Sequence, residues 1–257
     1  MNNKIVKINW DEMSQTYEDF TSDKDSYSFS IEWPTINEMM PNIKGQKVLD
    51  LGCGTGRFSF FFEEFSPRKI LGVDISSGML DIARREAKKI NSTIEFQQKD
   101  IEGFLLSENQ EYDFIFSSTT FHYIEDLEKL FKSISSILSN NGTCIISVIH
   151  PVYSAHYPLS DGDRLPTDEE WQIQYLDTSE RSYVQPWIEY SDDVENFLST
   201  SYHHTFSNYC TAVLRSGLKI EEIREPLPPI EWKEKFPNKY NACMRKPTFM
   251  ILKLSHQ

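Results

Sequence analysis

Three glycines alternate in Gly52-Cys53-Gly54-Thr55-Gly56, directly after the apolar run Lys47-Val48-Leu49-Asp50-Leu51 and directly before Arg57-Phe58-Ser59-Phe60-Phe61-Phe62, whose apolar spacing is helical. Glycines this dense let the backbone turn tightly and approach a ligand that any side chain would block. A strand therefore leads through a tight turn into a helix. The same alternation continues: strands are expected at 69–74, 93–100, 112–118 and 143–149, and helices at 76–89 and 127–138. Strands separated by helices make a mostly parallel sheet covered on both faces. Ser76 or Ser77 is placed to cap the second helix, and Asn140-Asn141-Gly142 is expected to stop the last one.

The spacing predicts four regions. Residues 1–44 form a helical lid, with helices around Asn9–Phe20 and from Ile31 to Met40, the latter entered at Trp33-Pro34 because proline suits a first helical turn. Residues 45–150 form the core. Residues 151–205 lose the alternation, are rich in Tyr, Trp, Pro and acid, and read as a cap over the strand ends. Residues 206–257 return to order, with a helix ended by Gly217 and two strands that complete the sheet.

Charge narrows the partners. The 257 residues carry 26 basic and 39 acidic side chains, a formal balance of −13, which repels a phosphate backbone and argues against nucleic acid. No apolar run reaches the roughly 18–20 residues that cross a bilayer, and the start MNNKIVKINWDEM lacks a signal peptide's apolar stretch. A soluble cytoplasmic protein without a membrane partner is expected; oligomeric state is left open. Cys53, Cys144, Cys210 and Cys243 form no CxxC pair, so neither a zinc site nor a disulfide framework is expected.

The glycine loop departs from two nucleotide fingerprints. A dinucleotide loop needs a glycine where Arg57 stands, and the GK[ST] ending of a triphosphate loop is missing. A nucleoside without phosphates remains. Asp74, ending the second strand, is placed to accept from both ribose hydroxyls. Asp100, ending the third, is placed to accept from an exocyclic amino group, with Met79 and Ile101 offering apolar faces to the ring. The segment from Ser117 to Tyr123 borders the other end of the ligand. Asp50 has a structural reading as well, since a carboxylate before a glycine-rich turn ties down backbone amides.

Taken in order, VLDLGCGTG, VDISSGML, KDIE, YDFIFSS followed by FHYIED, and LSNNGTCIISV resemble the successive motifs of class I S-adenosylmethionine-dependent methyltransferases over about residues 46–150. The resemblance implies a seven-stranded Rossmann-like α/β sheet with an antiparallel last strand, here Thr248–Leu254, and S-adenosylmethionine as cofactor. It further implies that Gly52, Cys53, Gly54 and Gly56 line the methionine part, that Asp74 holds the ribose, that Met79 packs on adenine and that Asp100 with Ile101 reads its edge. Ser117 would stand near the methionine amino group and Tyr17 would close over the cofactor; Asp50 and Ile75 complete the set. The region after the cap resembles the C-terminal part of small-molecule members, which implies a small acceptor.

Methyl transfer asks mainly for alignment and exclusion of water. A base is required only where the acceptor loses a proton, and His122, His150, His203 and His204 are the candidates, each with an alternative reading as a hydrogen-bonded anchor. Trp171, Tyr175, Tyr183, Trp187, Tyr190 and Tyr202 are candidates for an acceptor wall or for the cap's own core. Competing readings are a methyltransferase acting on a protein and a cofactor-binding scaffold without turnover.

Overall fold

The structure, a computed structural model, describes residues 3–156, 173–184 and 198–257. Trp171, Trp187, Tyr190 and the acidic run 161–170 lie outside the described residues. The chain opens with α1 (Asn3–Thr21), then a π-helical turn (Ser28–Glu32) running straight into α2 (Trp33–Met39). The alternating core follows as β1 (Lys47–Leu51), α3 (Arg57–Glu63), β2 (Lys69–Asp74), α4 (Ser77–Ile90), β3 (Glu95–Gln98), α5 (Ile101–Ser107), β4 (Tyr112–Ser118), a 3₁₀ turn (Phe121–Tyr123), α6 (Leu127–Ile137) and β5 (Leu138–Ile149). After α7 (Pro151–Ser154) come the hairpin strands β6 (Glu180–Val184) and β7 (Leu198–Tyr202). The chain finishes with α8 (Phe206–Leu214), β8 (Leu218–Arg224), α9 (Trp232–Lys235), α10 (Pro237–Arg245) and β9 (Phe249–His256).

The main sheet has seven strands in the order β3-β2-β1-β4-β5-β9-β8. β1 to β5 pair in parallel, and β9 inserts antiparallel to both β5 and β8. The last strand thus runs against the others, as expected. Strand order reverses between β1 and β4, and such a reversal opens a crevice at the carboxyl ends of the strands. β1 is buried at every position, which is why its apolar run is continuous rather than alternating.

Side chains alternate between two cores. Leu49, Ile115, Ile146 and Leu252 face a layer made by α5, α6 and α8, whereas Val48, Phe114, Ile145 and Ile251 face Ile36 and Met39 of α2 and Phe62 of α3. The second face is phenylalanine-rich, with Phe62 edge-on to Phe116 at 4.9 Å between centroids. Ser76 caps α4 by accepting from the Met79 amide.

Two boundaries differ from expectation. α1 begins about six residues earlier than the sequence pattern suggested. Asn140-Asn141-Gly142 does not stop α6, which ends at Ile137. Leu138 is instead buried and paired with Tyr112, and the register then jumps so that Phe114 meets Thr143. The intervening polar residues form a bulge inside β5, favoured because burying Leu138 outweighs extending the helix by one turn. Among the described residues, no helix is long and apolar enough to cross a membrane.

Candidate functional site

Each loop glycine has its own reason. Gly52 sits at φ +72°, and a Cβ there would stand 2.3 Å from the Thr120 hydroxyl oxygen. Gly56, at φ +83°, faces Phe96 and Phe60 at about 3 Å. Gly54, at φ +53°, has nothing within 4 Å of its Cβ position and faces open space. The turn is pinned to β2: the Gly52 amide donates to the Val73 carbonyl at 2.7 Å, and the Gly54 amide donates to Asp74 Oδ2 at 2.8 Å. Asp74 Oδ1 accepts from the Ser76 amide at 2.8 Å. One carboxylate therefore fixes both the loop and the head of α4. Burial raises the pKa of Asp74, and the Ser76 and Gly54 amides pull against that rise.

Loop, strand tips and α1 together enclose a cavity of about 790 Å³, its open mouth included. Of the residues expected there, Tyr17, Gly52, Gly54, Asp74, Ile75, Met79, Asp100 and Ile101 line it. Four others face elsewhere. Asp50 is buried beneath the loop, where it accepts from Ser59 Oγ at 2.6 Å, and burial pushes its carboxyl up to about 7. Ser117 donates to the Leu51 carbonyl at 2.7 Å, inside the sheet. Cys53 turns its sulfur toward Gly72, and burial raises its thiol well above the usual range. Gly56 packs against the two phenylalanines.

Ser118, Thr119, Thr120 and Tyr123, from the segment expected to border the other end of the ligand, line the cavity as well, whereas Val6, Trp10, Glu102 and Ile124, which also line it, were missed by sequence reasoning. Thr119 holds φ +47°, a costly conformation for a β-branched residue, and such strain marks functional sites. No local signal in the chain reveals it. Asp100 caps α5 through Oδ1, accepting from the Gly103 amide at 2.7 Å. Asp74, Asp100 and Glu102 place three carboxylates on the wall, which has no lysine or arginine among the described residues.

α1 closes over this cavity through Val6, Trp10 and Tyr17 and is latched at two places. Asp11 Oδ1 accepts from Ser76 Oγ (2.7 Å), Ser77 Oγ (3.2 Å) and the Gly78 amide (2.9 Å) at the head of α4. Gly78 is required here because a Cβ would meet the Asp11 carbonyl at 2.7 Å. Burial works against the Asp11 charge, yet the bonds from Lys7, Gly78 and Ser76 outweigh it and hold the carboxyl at about 2. At the other end Arg57 reaches Glu18 at 3.6 Å and hydrogen-bonds Thr21. The arginine that replaces a dinucleotide-loop glycine thus ties down the lid. Trp10 meets Tyr17 and Tyr123 edge-on at 5.5 and 6.2 Å, closing an aromatic roof.

The histidines are placed as anchors, and none of the four lines the cavity. His150 accepts from the Val152 amide on Nδ1, so Nε2–H donates to Glu225 at 2.8 Å. His203 donates from Nε2 to the Tyr175 carbonyl and accepts from Ser154 on Nδ1. His204 donates to the Ile124 carbonyl at 2.8 Å. His122 is buried against the Tyr123 ring at 4.2 Å. Burial pushes His122 down to about 3 and His204 to about 4.

Both histidines are therefore neutral in the folded chain but protonate near 6.5 once unfolded. The unfolded state binds more protons below that pH, so their contribution is complete above 6.5 and is lost as pH falls toward 4 and 3. Folding stability is expected to drop by about 1.4 kcal/mol per pH unit for each histidine across this window. Urea melts at pH 7 and pH 5 measure the drop, and His204→Asn should flatten it.

With this geometry in view, comparison with known proteins is decisive about class. Residues 42–199 match the family described as a methyltransferase domain. An uncharacterized protein of Haemophilus influenzae is 29% identical over 260 residues, covering 98% of both chains. Juvenile hormone acid O-methyltransferase of Bombyx mori is 27% identical over 189 residues, which span 72% of this chain and 62% of that protein. The crystal structure of an S-adenosylmethionine-dependent methyltransferase from Mesorhizobium loti superposes with TM-score 0.68 and 27% identity, covering 87% of this chain and 96% of that one. The chain belongs to the methyltransferase-domain family, and its cofactor is S-adenosylmethionine.

Proposed function

We propose that the chain transfers a methyl group from S-adenosylmethionine to a small-molecule acceptor, with its site residues acting as follows. Asp74 accepts from the ribose hydroxyls with the lone pairs its two amide partners leave free. Met79 and Ile101 hold the adenine between apolar faces, Asp100 accepts from its amino group, and Gly54 leaves room for backbone approach. Trp10, Tyr17 and Tyr123 exclude water. When bound, the cofactor supplies an activated methyl on sulfur, so the protein's task is alignment rather than activation.

The observation that carries this reading is the convergence of the glycine loop with two strand-tip acids on one cavity whose described wall bears no cation. That wall suits a nucleoside with donor groups and no phosphate. The lid at 1–44 shields the reaction, and its double latch supports an enclosed site of the kind small molecules occupy. The name of the Bombyx mori relative, whose substrate is a small acid, favours the same class of acceptor. Four unpaired cysteines favour a reducing cytoplasmic setting.

Incubation with methyl-labelled S-adenosylmethionine and a metabolite extract tests the proposal. Label is expected in the small-molecule fraction; label confined to protein or RNA would refute it.

A further inference from the structure

The β6–β7 hairpin turns a polar face inward. Arg181 and Tyr183 lie two residues apart on β6, so they share a face, and across the pair they meet Ser201 and Ser199 of β7. All four are buried, Arg181 at 0% exposure. Packing alone would be served better by apolar residues at these positions. Strand β7 packs against α1 and against the Phe121–Tyr123 turn, and the Tyr183 hydroxyl stands beside that of Tyr123, a wall residue of the cofactor cavity. The inner face of the hairpin therefore continues from that wall.

Arg181 is only partly paired. Its Nη2 donates to the Gln174 carbonyl at 3.0 Å and to the Asp177 carbonyl, which uses both protons of that nitrogen. Its Nε and Nη1 have no hydrogen-bond partner. Asp177, the acid that acts on it, meets it through the backbone, while Asp177 Oδ1 accepts from the Ser179 amide and hydroxyl. The neighbouring His203 has both ring nitrogens engaged, by Ser154 and by the Tyr175 carbonyl. A guanidinium keeps its proton even when buried, so a full positive charge with unused N–H groups stands enclosed here. A buried charge without a partner is costly, and a ligand that supplies the missing acceptors accounts for it.

We propose that Arg181 binds the methyl acceptor by holding an oxyanion, a carboxylate or a phosphate, that the small molecule carries. The inference rests on the methyltransferase reading and names the acceptor's chemistry. Asp74, Asp100 and Glu102 on the cofactor wall repel such an anion, which leaves the hairpin's inner face as the place that attracts it. Arg181 stands roughly 7 Å along the strand from Tyr183. The oxyanion is therefore a handle that orients the acceptor, and the methyl goes to another of its atoms.

The test supplies methyl-labelled S-adenosylmethionine and a metabolite extract, then separates the products on an anion exchanger at pH 8. The labelled product of wild type should be retained, because the handle survives methylation. Label confined to unretained products overturns the proposal and leaves the methyltransferase reading standing. Alkaline phosphatase then separates the two sources, since a phosphate handle loses retention and a carboxylate keeps it. Arg181→Met keeps the stem's packing and drops the charge; at limiting extract it should incorporate about tenfold less label or lower. Arg181→Lys should fall between, and both variants should bind S-adenosylhomocysteine within about twofold of wild type. Unchanged incorporation in Arg181→Met, or a matching loss of S-adenosylhomocysteine binding, overturns the proposal and leaves Arg181 a structural anchor. Should the variants fail to fold, retention of the wild-type product decides. No label in any small molecule would refute the methyltransferase reading itself, and the inference falls with it.

Discussion

Asp74→Ala is expected to weaken S-adenosylhomocysteine binding about 100-fold or more. The Asp74 carboxylate is the hinge of the site, because Oδ2 holds the Gly54 amide and Oδ1 the Ser76 amide, both at 2.8 Å. Alanine removes the acceptor for the ribose hydroxyls and frees the glycine loop from β2 in the same stroke. Charge-assisted hydrogen bonds contribute about 1.5–3 kcal/mol each, so loss of two corresponds to at least a hundredfold in affinity. Asp74→Asn keeps the shape and one acceptor oxygen and should fall between the two. Calorimetry measures the change, with far-ultraviolet circular dichroism as the check on folding; wild-type affinity in Asp74→Ala would remove this residue from the site.

Gly52→Ala and Gly54→Ala should separate stability from binding although they lie two residues apart. At Gly52 the new Cβ would fall 2.3 Å from Thr120 Oγ1 and 2.5 Å from its Cγ2. Thr120 cannot readily yield, because its hydroxyl donates to the Ser118 carbonyl at 2.7 Å. The clash adds to the strain of φ +72° for a residue with a Cβ, and together they should cost about 2–3 kcal/mol. For a chain of this length that is a fall in Tm of roughly 5–10 °C. Gly54→Ala meets no protein atom within 4 Å, so its stability cost is limited to the backbone strain of φ +53°, about 1–2 kcal/mol. Its methyl group instead projects into the space proposed for the cofactor. Gly54→Ala should therefore melt closer to wild type than Gly52→Ala yet bind S-adenosylhomocysteine at least tenfold more weakly. Thermal denaturation with and without ligand reads both effects.

These contrasts show which parts of the site the chain spells out locally. The β1–loop–α3 unit was legible because its apolar run, its glycines and its helical spacing are contiguous, and Asp74 and Asp100 were legible as acids ending strands. The exchange of β9 into the sheet was reached only through the resemblance. What stayed hidden depends on partners far along the chain. Asp11 looks like one acid among many on α1 until the fold brings it to the Gly78 amide. Glu32 carries no distinguishing signal in sequence, yet folding carries it to Ser118, fully buried. Ser117 and Ser118 illustrate the strand period of two: one turns into the sheet and bonds Leu51, while the other reaches the cavity. A motif names the pair without saying which face either takes. Asn140-Asn141-Gly142 misled for a related reason, since turn-forming residues serve a bulge within a strand as well as a helix end.

The central claim is that the cavity beneath α1 receives the adenosyl group with its ribose on Asp74 and its adenine between Met79 and Ile101. A crystal structure of the complex with S-adenosylhomocysteine tests this most directly. Ribose hydroxyls within hydrogen-bonding distance of Asp74, and the adenine amino group at Asp100, are the predicted result; ligand density outside this cavity, with both carboxylates turned to solvent, would contradict it.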